Sequence, residues 1–138
     1  MAEIRFTVWG EPVAQGRPKF ARIGNHVTTY DPEKSRTYKS IVRDEAIKVK
    51  PDKPLEGPLI LTVAAYKSIP KSLSKKKTQQ ALEGELRPTI KPDLDNVVKG
   101  IKDALKGIIW RDDSQVIWLF ASKWYSDKPR VEVEVEEV

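Results

Sequence analysis

The chain has no cysteine, and its only histidine is His26. Disulfides, thiolate zinc sites and cysteine nucleophiles are therefore excluded. One histidine also rules out a histidine-rich metal site and argues against a Ser-His-Asp triad. No stretch approaches the 18 or more consecutive apolar residues of a membrane-spanning helix. Met1-Ala2-Glu3 leads straight into a strand-like segment, unlike a secretory leader. The expectation is a soluble, cytoplasmic protein with no membrane partner. Any catalysis must then rest on carboxylates, lysines and a metal bound through oxygen.

What is present suits one small core under a solvated surface. The 138 residues are 39% hydrophobic and 33% charged, with four Trp, four Tyr and three Phe. There is no internal repeat and no Gly/Ser-rich linker, so a single domain is expected over residues 1–138. The formal net charge is +5. Glu132, Glu134, Glu136 and Glu137 stand in a tail without bases, so residues 1–130 hold 16 of the 20 acids against all 25 bases, a net +9. Such an excess favours a polyanionic partner, although charge alone specifies only attraction.

Periodicity orders the elements. Ile4, Phe6 and Val8 alternate with Arg5, Thr7 and Trp9, as in a strand. A basic loop with Gly and Pro runs from Gly10 to Ala21, and Gly24-Asn25 marks the turn of a hairpin. Asp31 as N-cap and Pro32 at the first helical position open a helix to about Val49. Tyr38, Ile41, Val42 and Ala46 give it one apolar face. Pro58 to Ser68 is apolar on both faces and reads as an interior strand. Ser72 to Glu83 is a lysine-rich helix or mobile segment, whose Lys75-Lys76-Lys77 run suits either a solvated face or DNA contact.

A third helix spans about Asp93 to Lys106, stopped by Gly107, with Val97, Val98, Ile101, Ala104 and Leu105 as its buried stripe. Ser114 to Tyr125 is a long strand, apolar on both sides, as in a central strand or a subunit interface. Val131, Val133 and Val135 alternate with glutamates in a last strand. The order β, hairpin, α, β, α, α, β, β predicts an α+β domain with helices packed on a mixed sheet.

The chemistry concentrates in Lys91-Pro92-Asp93-Leu94-Asp95-Asn96-Val97-Val98-Lys99. Pro92 disfavours helix before it, which places Asp93 at the N-cap and Asp95 in the first turn. Acids there complement the helix dipole, and this alone could account for them. Two acids plus Asn96 exceed what capping needs, however, and Lys99 faces the same side as Asp95, four residues on. Asp112 and Asp113 follow. Residues 94–106 rise ~20 Å as a helix at ~1.5 Å each, and 107–113 can extend back by at most ~25 Å at ~3.3–3.6 Å each. An extended return can therefore bring an acid of this pair level with Asp93 and Asp95.

Converging carboxylates repel unless a cation sits among them, and all-oxygen ligands favour Mg²⁺, with Mn²⁺ as substitute, over zinc. An EF-hand fails, because its sixth position is Val98 rather than Gly and its twelfth is Ala104 rather than Glu. A hard cation acidifies water and neutralises a departing phosphate oxygen. Lys99 would add fixed positive charge. Adjacent residues on an extended chain point oppositely, so only one of Asp112 and Asp113 should reach the metal.

Asp93-Leu-Asp-Asn-Val-Val-Lys99, then Asp103-Ala-Leu, then Trp110-Arg-Asp-Asp-Ser-Gln-Val116 resembles the RusA family of Holliday-junction resolvases. Gly16-Arg-Pro-Lys-Phe-Ala-Arg22 and Tyr30-Asp-Pro are similar to that family's basic region. The resemblance implies Asp93, Asp95 and Asp113 as metal ligands and Lys99 as an essential base or electrostatic group. It also implies a homodimer that nicks a four-way DNA junction symmetrically.

Arg17, Lys19 and Arg22 flank Phe20. They could bind phosphates while the ring stacks on exposed bases, unless Phe20 is tucked into the core. Gly100, mid-helix, costs ~1 kcal/mol relative to Ala and suggests that another backbone approaches there. For a dimer, the candidate contacts are the faces of Ser114–Tyr125 or the Gly100 side of the third helix. Trp110, Trp118 and Trp124 read as core or interface. Two other classes fit the residues: a non-catalytic nucleic-acid-binding or regulatory protein of the same fold, and a nuclease acting on other branched DNA or on RNA.

Overall fold

A computed structural model describes residues 3–30 and 32–138. Strands β1 (Glu3–Trp9), β4 (Leu59–Ser68), β5 (Val116–Ser126) and β6 (Arg130–Glu137) form one mixed sheet. Its spatial order is β1-β6-β4-β5. β6 is antiparallel to both β1 and β4, while β4 and β5 run parallel. Strands β2 (Lys19–Ile23) and β3 (His26–Tyr30) make a separate hairpin, turning at Gly24-Asn25. The α+β class and the element order agree with the sequence pattern.

Helices α1 (Glu33–Ile47) and α3 (Leu94–Leu105) cover one face of the sheet. The alternation in β6 explains why: Val131, Val133 and Val135 enter the core, while the intervening glutamates face outward. They join Val8 of β1, Leu59, Leu61 and Val63 of β4, and the expected α3 stripe from Val97 to Leu105. Fully burying each such side chain contributes roughly 1.5–3 kcal/mol, so this shared face dominates the stability. No helix is long and apolar enough to cross a membrane among the described residues.

Four expectations change. The expected cap at Asp31 lies outside the described residues, and Pro32 occupies the N-cap position, one residue after the expected start. Ile41 is exposed, because α1 packs through Tyr38, Val42 and Ala46 and leaves Ile41 at the margin. The segment expected as one strand from Ser114 opens with a 3₁₀ turn, η1 (Asp113–Gln115), capped by the Asp112 side chain. Finally, β5 is an edge strand, not a central one. The central positions belong to β6 and β4.

Parallel neighbours cannot be joined by a hairpin and need a crossover. Here the crossover contains α3, which carries the acidic segment. It also contains α2 (Lys75–Leu82), capped by Ser74 and packed against β5. The lysine-rich segment is anchored by Trp124. The Arg87 guanidinium lies 3.4 Å from the Trp124 ring centroid and donates 2.6 Å to the Lys123 carbonyl. Gly84 has φ 82°, and a Cβ there would meet the Trp124 ring at 3.1 Å. The positive φ favours glycine, and a Cβ would also need the ring to give by a few tenths of an ångström. Tyr66 stacks on the same indole, and Arg130 covers Tyr66.

The backbone approach expected at Gly100 comes from the chain itself. Gln15 passes over it, donating its N–H to the Asn96 carbonyl at 2.9 Å. This covers the Gly100 side of α3, which removes it as a candidate dimer contact. A Cβ at Gly100 would stand 3.7 Å from its nearest neighbour, an ordinary contact. Gly100→Ala should therefore gain most of the ~1 kcal/mol helix preference and raise the melting temperature by roughly 2–5 °C. A thermal melt showing a fall would mean that the loop over α3 cannot accept a methyl group.

Candidate active site

The start of α3 is set by Pro92 and Asp93. Asp93 takes the N-cap position with extended backbone, but its carboxylate makes no capping bond. Satisfying the helix end therefore does not account for that side chain. Asp95 follows in the first turn. Because side chains four apart lie on one face of a helix, Asp95, Lys99 and Asp103 form a stripe.

Asp113 arrives differently from the extended return envisaged from chain length. Gly107, at φ 84°, begins a tight turn closed by its own N–H donating 2.7 Å to the Trp110 carbonyl. Trp110 is then fully buried, and its indole Nε1 donates 2.9 Å to Asp113 Oδ1. A buried indole N–H needs such a partner, so the core orients this carboxylate. Gln115 fixes the same turn. Its Oε1 accepts from the N–H groups of Arg111 and Asp112, and its Nε2 donates to the carbonyls of Leu55 and Gly57.

The result is a cavity of about 220 Å³ lined by Asp95, Val98, Lys99, Lys102, Asp103, Asp113 and Leu119. Asp93 is not among them. It lines a second cavity with Arg17, Lys34, Lys67, Lys91 and Asn96. Asp95, Lys99 and Asp113 thus share one cavity, and Asp93 lines the other. Lys99 Nζ stands 3.5 Å from Asp103 Oδ1, so its ion-pair partner is Asp103 rather than Asp95. The sequence marks Asp103 only within the runs that carry the family resemblance, and its spacing of four from Lys99 is the signal for this pairing.

Asp112 is engaged elsewhere. Its Oδ2 accepts from the Ser114 backbone N–H and from the Ser114 hydroxyl, and Lys106 Nζ lies 3.3 Å from Oδ1. The Ser114 bonds, helped by Lys106, hold its pKa down at about 2.

The donor chemistry suits a hard cation, because Asp95, Asp103 and Asp113 offer only oxygen to the cavity, against the two ammonium groups of Lys99 and Lys102 in the same lining. Among the described residues, however, no three acidic, imidazole or thiol side chains are gathered as a metal site would require.

The hairpin stands open to solvent, with every residue of β2 and β3 exposed except Ala21, which is half-buried. Phe20 is 72% exposed rather than tucked into the core. The two-residue period places Phe20 and Arg22 on one face and Lys19 on the other. Arg17 precedes the hairpin, in the cavity with Asp93.

A two-layer α+β fold with an acidic helix start and a facing Asp-Asp turn defines a class that comparison with known sequences identifies. The profile of endodeoxyribonuclease RusA matches residues 10–136, and the chain belongs to that family. It is 50% identical over 137 residues to the uncharacterized protein YqaN of Bacillus subtilis (strain 168), covering 98% of this chain and 96% of that one. It is also 30% identical over 139 residues to the crossover junction endodeoxyribonuclease rusA of Lactococcus phage r1t, covering 99% and 98%.

Proposed function

We propose that this chain is a Mg²⁺-dependent endodeoxyribonuclease that resolves Holliday junctions as a cytoplasmic homodimer, serving DNA recombination and repair. The observation that carries the reading is the shared cavity of Asp95, Lys99 and Asp113 in a chain of the RusA family. The phage relative, named a crossover junction endodeoxyribonuclease, supports the substrate.

Asp95 and Asp113 would hold the cation from their shared cavity, and Asp93, the third ligand that the family resemblance implies, would have to reach it from the other cavity. When bound, Mg²⁺ or Mn²⁺ supplies acidification of a water and neutralisation of charge on the leaving oxygen. Lys99, steadied by Asp103, sets a positive charge against the scissile phosphate. Arg17, Lys19 and Arg22 contact backbone phosphates, while Phe20 stacks on bases opened at the branch point.

A four-way junction offers two equivalent strands, and a two-fold dimer can place one site on each. The free edge of β5 is the surface for that contact. It leaves backbone N–H and C=O groups open to pairing and exposes Ile117, Trp118, Leu119 and Phe120 together.

Cleavage of a four-way junction, a replication fork, a linear duplex and an RNA hairpin should be compared under single-turnover conditions in Mg²⁺. Paired, symmetric nicks in the junction are expected, with the other substrates cut at least about tenfold more slowly, a preference worth ~1.4 kcal/mol. Equal or faster cutting of the fork or RNA would reassign the substrate. Tight binding without nicks in any of them would make this a non-catalytic member of the fold.

A further inference from the structure

Four cations meet in the cavity beside Asp93, each from a different part of the chain. Arg17 comes from the loop before β2, Lys34 from the start of α1, Lys67 from the end of β4, and Lys91 from the segment before α3. The cavity measures about 560 Å³. Among the described residues, none of the four makes an ion pair or a side-chain hydrogen bond. Lys67 is half-buried as well, which makes an unpaired ammonium there more costly than on an open surface.

Two acids line the same space against the four cations, and among the described residues neither makes an ion pair with them. Glu11 is turned to β4, where its carboxylate accepts from the Ser68 N–H at 2.8 Å and the Ser68 hydroxyl at 2.9 Å. Asp93 and Asn96 of this lining alternate along the start of α3 with Asp95, which lines the other cavity with Lys99 and Asp113. Like charges brought together without counter-ions repel, and a fold keeps them together readily when an anion belongs among them. The mixture of one guanidinium and three ammonium groups fits tetrahedral phosphate oxygens, the guanidinium offering a planar fork and the lysines point charges.

We infer that this cavity seats a DNA backbone phosphate flanking the scissile one, with Lys34, Lys67 and Lys91 joining Arg17 as its ligands. The inference rests on the nuclease reading above and deepens it. A strand held at this seat presents its adjoining phosphate to the cavity of Asp95, Lys99 and Asp113. The seat thus fixes which bond is cut, and it works without metal.

The test uses the full chain and a four-way junction in excess chelator, with binding titrated at several salt concentrations. Single neutral methylphosphonate linkages are placed in turn at each position flanking the cut. Lys67→Met retains the aliphatic stem, Lys34→Gln alters an exposed helix start, and Lys48→Gln, at the far end of α1, is the control. Each of the first two variants should bind about tenfold more weakly and lower the slope of log K against log salt by about one. The control should match the parent.

One neutral linkage should weaken the parent by a similar factor yet have no further effect on Lys67→Met or Lys34→Gln. Unchanged slopes in both variants, or strictly additive effects at every linkage, would overturn the seat while leaving the nuclease reading in place. A parent that shows the coupling yet nicks nothing in Mg²⁺ would sustain the seat and sink the nuclease reading. A parent that binds no junction would overturn both.

Discussion

Asp113→Asn is expected to lose nearly all junction cleavage while binding junctions as tightly as the parent, or slightly tighter, in chelator. The substitution keeps side-chain volume, and an asparagine oxygen can still accept from the Trp110 indole, so the fold should survive. What disappears is the negative charge needed to hold a cation and facing the DNA phosphates. Even residues one layer behind a metal's ligands cost 10–100-fold, so a loss of at least about a hundredfold is expected. Cleavage by the parent should require Mg²⁺ or Mn²⁺, stop in excess chelator and not return with Zn²⁺ or Ca²⁺.

Asp112→Asn should keep far more activity, because the Asp112 carboxylate is committed to Ser114 and Lys106. Parallel gel-shift titrations and single-turnover cleavage decide the matter. Normal cutting by Asp113→Asn with a dead Asp112→Asn would exchange the two roles. Normal cutting by both would remove this turn from the chemistry, and undiminished cutting in chelator would refute the metal mechanism.

Trp118→Asp should convert a dimer into a monomer and abolish paired nicking. Trp118 is 60% exposed near the start of an edge strand, where a lone monomer gains nothing from it. A tryptophan at the centre of an interface typically contributes ~2–4 kcal/mol, so dissociation should rise by roughly 30–1,000-fold, more with a buried aspartate in its place. Trp118 shares the outer face of the sheet with Ile60 of β4, whereas neighbouring Leu119 lines the acidic cavity. Substituting Trp118 therefore separates assembly from the site itself. Light scattering should give twice the 15.7 kDa chain mass for the parent and the single mass for the variant. A monomeric parent would end the dimer proposal, and an unaltered dimer in the variant would move the interface away from β5.

Much of this protein was written locally in the chain. The two-residue alternation in residues 3–9 and 130–137, the apolar run of 59–68 and the stripe from Val97 to Leu105 each report a nearby backbone period. Gly24, Pro92 and Gly107 punctuate turns through their own backbone preferences. Element order, fold class and the acidic segment with its later Asp-Asp turn followed from such signals, because hydrophobic period and turn chemistry act within a few residues.

Only the tertiary structure decided which strand is an edge, since strand neighbours are long-range pairings such as Arg5 with Glu134, 129 positions apart. An apolar strand at an edge and one at a centre have the same local pattern, which is why the pattern of β5 suggests a central strand or a subunit interface and does not reveal the edge. The separation of Asp93 from Asp95 and Asp113 depends on the turn at 107–110 and on where loop 11–17 lies over α3. The seat of Lys34, Lys67 and Lys91 depends on packing among the loop, α1, β4 and the approach to α3. Lysines spread over almost sixty residues carry no shared local period, so no pattern along the chain could bring them together.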